Sequence, residues 1–89
     1  MTEADVLELC VESGIPEHMH SAVISYVVDH LQPGGFLTAV LENNLMEAAS
    51  RADSTNIQHL ENYARLLYNL PRNCWGDPSV VDKWLREVP

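Results

Sequence analysis

Apolar residues recur along this chain at the three- and four-residue spacing of helices, and no stretch alternates polar and apolar residues as a half-buried strand does. The pattern is interrupted at Gly14, at Pro33-Gly34, at Ala52-Asp53 and in the loop from Pro71 to Gly76. Proline and glycine interrupt helices because proline lacks a backbone N–H and glycine loses the most conformational freedom on folding. The sequence therefore predicts an all-α fold, a compact bundle of four to five short helices without a sheet.

Helix-start signals support these divisions. Thr2 precedes acidic residues, and both a capping hydroxyl and negative charge are favourable in a first helical turn. Asp53 is placed to cap a helix whose third position is Asn56, and Asp77 precedes Pro78, which suits the first helical position. We expect a single domain over residues 1–89, in which residues 1–14 form a peripheral N-terminal helix and residues 15–89 form the core bundle.

The stretch from Gly34 to Asn56 has the most unusual pattern, and the sequence predicts one helix there, from about Phe36 to Ser50. On a helical wheel its apolar side chains form a continuous arc that contains Phe36, Leu37, Val40, Leu41, Leu45 and Ala48. Asn44, Glu47 and Arg51 fall inside this arc. Because Glu47 and Arg51 are four residues apart and can pair along a helix, we expect a half-buried ion pair.

Two hypotheses account for these polar residues. In the first they form a structural polar staple that consists of Glu47, Arg51, Asp53 and Asn56. In the second they belong to a partner-binding patch that consists of Asp29, Glu42, Asn43, Asn44, Glu47 and Arg51. We favour the staple, in which Arg51→Ala would cost about 1–3 kcal/mol if the site is partly buried.

Two other helices carry distinctive apolar faces. The helix from Glu17 to Leu31 is apolar around well over half of its circumference, which is typical of a helix that is central to a bundle or shared between subunits. We therefore expect a homodimer through the Glu17–Leu31 helix. The helix that follows Asp53 carries a regular stripe that we expect to face the core, made of Ile57, Leu60, Tyr63, Ala64, Leu67, Tyr68 and Leu70.

The net charge of −8 comes entirely from the first fifty residues, which hold eight acidic residues and no lysine or arginine. Such a surface repels the phosphates of nucleic acid. The charge serves either to bind a basic protein partner or only to keep the protein soluble. The chain contains no apolar run long enough for a membrane span, and its N-terminus is acidic where a signal peptide is basic. We expect a cytoplasmic protein that binds neither nucleic acid nor a membrane directly.

Candidate catalytic and metal-binding residues are sparse. His18 and His20 are two residues apart and diverge on a helix, while His30 and His59 have no ligand partner at useful spacing. Cys10 and Cys74 have neither metal nor redox spacing, and no glycine-rich loop has a phosphate-binding form. The sequence predicts no catalytic residue, no metal site, no cofactor and no enzymatic activity.

Three groups of residues carry a resemblance to a known family. They are Pro33-Gly34-Gly35-Phe36-Leu37-Thr38-Ala39-Val40-Leu41 with Asn44-Leu45 and Glu47-Ala48, then Arg51-Ala52-Asp53 with Asn56, and finally Leu67-Tyr68-Asn69, Cys74-Trp75-Gly76 and Trp84. In these groups, between Ile15 and Arg86, the chain resembles a family of small uncharacterised proteins of bacteriophages and prophages. It departs from the family at Asn44, where the family carries an acidic residue. The resemblance implies a phage accessory protein made in a bacterial cytoplasm, and it implies no particular activity.

Three functions are compatible with these observations. The first is a non-catalytic acidic interaction protein, an anti-defence factor that binds and blocks a host protein such as a nucleic-acid-binding complex. The second is a protein that sequesters a nucleotide through Arg51 and one of three aromatic residues, Tyr26, Tyr63 or Trp75. The third is a structural subunit of a phage particle. We favour the first, because carboxylates without counter-charges fit a basic groove.

Overall fold

The computed structural model describes residues 1–87, and every regular element in that range is helical. The α-helices are α1 (Glu3–Ser13), α2 (His20–Asp29), α3 (Gly35–Leu41), α4 (Leu45–Arg51), α5 (Ser54–Ile57), α6 (Leu60–Asn69) and α7 (Pro78–Arg86). Two 3₁₀ turns, Glu17–Met19 and Arg72–Cys74, precede α2 and α7. The all-α prediction is confirmed, whereas the expected number of four to five helices was too low.

Local side-chain chemistry begins the helices where the sequence indicated. The Thr2 hydroxyl accepts a hydrogen bond from the Asp5 backbone N–H while the Asp5 carboxylate accepts one from the Thr2 N–H. The Asp53 and Asp77 side chains cap α5 and α7 by accepting hydrogen bonds from the Asn56 and Val80 backbone N–H groups, respectively. Helix α1 ends at Gly14, whose φ of 78° is accessible to glycine without the strain that a Cβ would bring. The four predicted breaks are therefore confirmed.

Two further breaks, which the apolar pattern did not reveal, raise the number of helices. Asn43 has a φ of 60° and ends α3, and the Asn44 side chain then accepts a hydrogen bond from the Glu47 N–H and begins α4. Asparagine suits both roles because its short polar side chain tolerates the left-handed conformation and can cap a helix. A second break at Gln58 and His59 separates the single turn of α5 from α6.

The break before α6 changes which of its faces is buried. The buried positions are Tyr63, Leu66, Leu67 and the capping residue Leu70, at spacings of three and four. Ile57 and Tyr68, which we expected in the core, are 43% and 80% exposed. The predicted stripe was therefore wrong in part, because it continued the wheel of α5 through a break that rotates the chain.

A single core joins these helices. Its largest fully buried side chains come from α1, α2, α3, α6 and α7, and include Val6, Cys10, Val23, Tyr26, Leu37, Leu41, Tyr63, Leu66 and Val81. Helix α1 packs against α2 and α6, and its Val6 and Cys10 side chains are 0% exposed. The radius of gyration is 11.7 Å, close to the value of about 12 Å expected for a folded chain of this length.

Helix α7 is fixed to the end of α2 by one tryptophan. The Trp84 indole N–H donates to the Tyr26 carbonyl at 2.9 Å, and the His30 ring stacks on the indole with 4.0 Å between ring centroids. The His30 Nδ1 donates to the Trp84 carbonyl at 2.7 Å, and the Tyr26 hydroxyl donates to the Cys74 carbonyl at 2.7 Å. These buried bonds link three segments that are distant in sequence.

No helix within residues 1–87 combines the length and the apolar character that crossing a bilayer requires. The longest is α1, with 11 residues. Val88 and Pro89, the last two residues of the domain expected over residues 1–89, lie outside the described residues.

Candidate functional site

The turn between α3 and α4 decides where the predicted polar group lies. The Asn43 N–H donates to the Val40 carbonyl at 3.0 Å and the Asn44 N–H donates to the Ala39 carbonyl at 2.9 Å, which closes the end of α3. Because Asn43 then takes a left-handed conformation, the wheel of α3 does not continue into α4. Glu47 and Arg51 therefore do not lie on the face that α3 buries.

Glu47 and Arg51 do pair, but they pair at the surface. The Arg51 Nε donates to the Glu47 carboxylate at 2.5 Å, and the two side chains are 56% and 47% exposed, respectively. The predicted pairing is present, but the expectation that it lies within the apolar face of one uninterrupted helix is corrected, because the break at Asn43 and Asn44 leaves both side chains at the surface. Exposed pairs of this kind contribute little to stability, since water screens the charges and two long side chains lose freedom.

The polar contacts that are buried lie one helix further along the chain. The Asp53 carboxylate accepts the Asn56 N–H at 2.6 Å, and the backbone N–H of Asn56 is the main cause that lowers the pKa of Asp53. Asn56 is only 2% exposed, and its side-chain oxygen accepts the Tyr63 hydroxyl at 2.8 Å. The His18 ring also contacts the Asp53 carboxylate, at 3.1 Å. Of the predicted staple, Asp53 thus caps α5 and Asn56 joins α5 to α6, whereas Glu47 and Arg51 do not take part.

Arg51 instead covers the beginning of α3. A Cβ built on Gly35 would lie 2.8 Å from a terminal guanidinium nitrogen of Arg51, so the side chain passes directly over that glycine. Arg51 also lines an open polar hollow of about 310 Å³ together with Gln32, Pro33, Gly35, Thr38, Ala39 and Glu42. This hollow is shallow and exposed, and its one guanidinium is already bonded to Glu47.

We expect Arg51→Ala to change the free energy of unfolding by no more than about 0.5 kcal/mol, because the pair with Glu47 is solvent-exposed. Asn56→Ala is the matched comparison and should cost about 1–3 kcal/mol, because it leaves the buried Tyr63 hydroxyl without its acceptor. Thermal and urea denaturation of both variants measure the difference. A loss of stability in Arg51→Ala as large as that in Asn56→Ala would contradict the surface role of Arg51.

On the other side of the α3–α4 turn lies an apolar cleft, which we call the α4–α6 groove. Its buried floor consists of Val40, Ala48, Tyr63 and Leu67, its partly buried wall contains Leu60, and its exposed rim consists of Asn43, Asn44, Leu45 and Ala64. Its volume is about 120 Å³. Two large apolar side chains are exposed in the first turn of α4, Leu45 at 67% and Met46 at 80%.

The predicted partner-binding residues divide between these features. Asn43 and Asn44 lie on the rim of the α4–α6 groove, while Glu42 and Arg51 line the polar hollow. Asp29 is exposed at the end of α2 and lines neither. The groove itself was not predicted from the sequence, although Leu60, Tyr63, Ala64 and Leu67, which line it, belong to the stripe that we expected to face the core. The signal that could have located the groove is the Asn43-Asn44 pair, which marks both a helix end and a helix start.

The histidines and cysteines have structural environments. His18 bonds a carboxylate, and the other histidines bond backbone carbonyls, namely His20 to Ile15, His30 to Trp84 and His59 to Thr55. Burial raises the pKa of the Cys10 and Cys74 thiols to about 11, which disfavours the nucleophilic thiolate. Within residues 1–87, no three His, Cys, Asp or Glu side chains come together as a metal ion would need.

The acidic residues of the first half of the chain lie at the surface. Among them Glu42 is partly exposed, and the other seven are exposed. Only Glu47 has a basic partner within residues 1–87. Comparison with protein-family models, with curated proteins and with solved structures gave no match to this chain.

Proposed function

We propose that this chain is a non-catalytic acidic interaction protein that binds the basic surface of a nucleic-acid-binding host protein and blocks it. The observation that carries the proposal is a set of surface carboxylates without a basic partner among the described residues, which are Glu3, Asp5, Glu8, Glu12, Glu17, Asp29 and Glu42. Unneutralised carboxylates present to a basic groove the same sign of charge as the phosphates of its nucleic acid.

Helix α1 concentrates this charge on one side. Val6 and Cys10 face the core, and Glu8 and Glu12, four residues apart, lie on the opposite, exposed face. Asp5 adds a third carboxylate, and its hydrogen bonds with Thr2 lower its pKa and keep it charged. A surface of this kind attracts a basic partner over a distance and speeds association, an effect that weakens as salt is added.

The environment of the thiols supports a role without catalysis. Cys10 and Cys74 are 0% exposed, and the raised pKa of each keeps it protonated at neutral pH. The alternative of nucleotide sequestration receives less support. Tyr26 and Tyr63 are buried in the core, and Arg51 is at the surface in its pair with Glu47.

The proposed homodimer through the Glu17–Leu31 helix stays a prediction with a weaker basis. Within the single chain, Val23, Tyr26 and Val27 are buried, and Met19, Ala22, Ile24 and Val28 are partly buried. Of the large apolar residues in that stretch, Leu31 is exposed, at 57%. The face that motivated the dimer is thus largely covered by the chain's own core. The phage origin and the anti-defence role belong to the same proposal and rest on the resemblance alone.

Capture from a bacterial lysate tests the proposal. We expect the immobilised full chain to retain a basic protein at about 50 mM salt and to release it at about 500 mM, because salt screens exposed charges. Neutralising Glu3, Glu8 and Glu12 to Gln should reduce capture about tenfold. The matched control changes the net charge equally but alters acidic residues of the second half of the chain, in the triple variant Glu61→Gln, Asp82→Asn and Glu87→Gln. This control should capture nearly as much of the basic protein as the wild type does.

Three results would overturn the proposal: no protein retained above a bare matrix, retention that salt does not affect, or equal losses in the two triple variants. Circular dichroism of each variant should match the wild type, since all six positions are exposed.

A further inference from the structure

We infer that the α4–α6 groove is the anchor site for a basic amphipathic helix of the partner, which inserts one large apolar side chain between α4 and α6. This inference rests on the proposed function, because it names the chemistry of the segment that the acidic protein binds. Large apolar side chains that fill desolvated pockets dominate the energy of most interfaces. The groove offers such a pocket, and the net charge of −8 attracts a basic partner to the protein.

The size and lining of the groove fit one side chain. Its volume of about 120 Å³ is close to that of an engineered protein cavity of about 150 Å³ that takes up benzene. Val40, Ala48 and Leu67 supply a buried apolar floor, and Tyr63 cannot move away because its hydroxyl is bonded to Asn56 at 2.8 Å. A leucine, methionine or phenylalanine side chain would therefore meet preformed walls.

The surroundings of the groove extend the apolar contact. Leu45 lies on the rim, and Met46, the next residue of α4, is also exposed. Along α6, Ala64 on the rim is followed one turn later by Tyr68, which is 80% exposed. The groove and its continuation at Tyr68 thus run along about two turns of α6, from Leu60 to Tyr68, the length over which a docked helix makes contacts.

Charge identifies the occupant as basic. The two arginines nearest in sequence to the groove residues are both paired within the chain, Arg51 with Glu47 and Arg65 with Glu61. Glu42, which lines the polar hollow across the α3–α4 turn from the groove, has no basic partner among the described residues. A second copy of this chain carries the same net charge of −8, so at the groove it would have no charge complementarity. A helix with lysine or arginine beside its apolar anchor is attracted instead.

The polar rim suits a helical segment. The Asn43 and Asn44 side chains are exposed at the opening, where their amide groups can bond polar groups of the docked chain. The left-handed conformation of Asn43 and the cap that Asn44 forms on α4 hold both residues in place before a partner arrives. A rim that is already ordered loses less conformational entropy on binding.

The test uses a defined probe and does not require the natural partner. The probe is a designed peptide of leucine and lysine about four helical turns long, with leucines at helical spacing. Its two controls are a scrambled peptide of the same composition and a peptide with glutamate in place of lysine. Amide chemical shifts of the nitrogen-15-labelled full chain are followed by NMR during titration. We expect the shifts to concentrate at residues 43–48 and 60–68.

Matched variants distinguish peptide binding at the groove from peptide binding at other exposed apolar residues. Leu45→Ser with Met46→Ser should weaken peptide binding about tenfold. Leu7→Ser with Val11→Ser removes two exposed apolar residues from α1, at 44% and 63% exposure, and should leave binding within about twofold of the wild type. The scrambled peptide should bind more weakly than the helical one, and the glutamate peptide should not bind.

Four outcomes would overturn the inference: shifts confined to α1, equal losses in the two double variants, equal binding of the helical and scrambled peptides, or binding of the glutamate peptide. Shifts at the groove that depend on protein concentration without peptide would assign it to a second copy, and they too would overturn the inference. Its failure is distinguishable from that of the proposed function, because lysate capture that depends on Glu3, Glu8 and Glu12 would persist without a working groove.

Discussion

Trp84→Ala is expected to lower the free energy of unfolding by about 3–5 kcal/mol, the usual cost of truncating a buried aromatic side chain to alanine. Trp84 is 8% exposed, and it supplies both the ring on which His30 stacks and the N–H that bonds the Tyr26 carbonyl. Its removal therefore leaves a cavity and a buried carbonyl that lacks this donor. The free energy of unfolding of such domains is only about 5–15 kcal/mol, so the variant should lose a large part of it.

Two further variants make this prediction specific. Trp84→Phe keeps most of the ring and loses the N–H, so it should cost less, about 1–3 kcal/mol. Tyr68→Ala removes an aromatic residue that is 80% exposed and should change stability by no more than about 0.5 kcal/mol. Urea denaturation followed by circular dichroism gives all three values. A Trp84→Ala curve that overlays the wild type would show that α7 is not fixed to α2 as described.

Alkaline pH is expected to unfold the protein through its buried thiols and phenols. Burial raises the pKa of Cys10 and Cys74 to about 11 from an ordinary 9.0, and it raises the pKa of Tyr26 and Tyr63 above their ordinary 10.0. Each group is neutral when protonated, so the unfolded chain loses these protons at a lower pH than the folded chain does. Stability is therefore complete below about pH 9 and falls as the pH rises, by about 1.4 kcal/mol per pH unit for each such group.

The measurement is the free energy of unfolding in urea at several values from about pH 8 to about pH 11. Both thiols contribute above about pH 9, and the two tyrosines contribute above their ordinary pKa. The free energy of unfolding should therefore fall by several kcal/mol by the upper end of the range. Cys10→Ala should reduce the slope by the contribution of one group, and tyrosinate absorbance should rise together with the loss of helix. A free energy of unfolding that stays constant across this range would contradict the burial of all four groups.

The elements that sequence predicted well depend on neighbouring residues only. Thr2 with Asp5, Asp53 with Asn56, and Asp77 with Pro78 begin helices through contacts that span three residues or fewer. Gly14 ends α1 because glycine takes the left-handed conformation there without the strain that a Cβ would bring. Such signals are contained in the local sequence, so the all-α class and four of the breaks could be predicted without knowledge of the tertiary structure.

The errors share one physical cause. Asn43 fits the solvated side of a helix as well as it fits a helix end, and Asn44 fits a polar position within the apolar arc as well as it fits a cap. Only the tertiary structure selects between these roles. Extending the wheel of α3 through both asparagines placed Glu47 and Arg51 within the apolar arc, although both are at the surface. Extending the wheel of α5 through the break at His59 likewise placed Tyr68 in the core, although Tyr68 is exposed.

The α4–α6 groove could not be predicted for a related reason. Its floor combines Val40 of α3, Ala48 of α4, and Tyr63 and Leu67 of α6. Whether these apolar residues meet a neighbour or leave a cleft depends on the angle between α4 and α6. That angle follows from the packing of the whole core and from the turn at Asn43, which the apolar pattern alone did not indicate.

The proposed block of a partner's basic surface is tested by competition between this protein and nucleic acid for that partner. The partner captured from the lysate is bound to a fluorescently labelled nucleic acid, and the anisotropy of the label is followed while the full chain is added. We predict that the nucleic acid is displaced, and that the Glu3, Glu8 and Glu12 to Gln variant requires about tenfold more protein for the same displacement. Anisotropy that stays constant or rises, as a ternary complex would give, would contradict the proposed block.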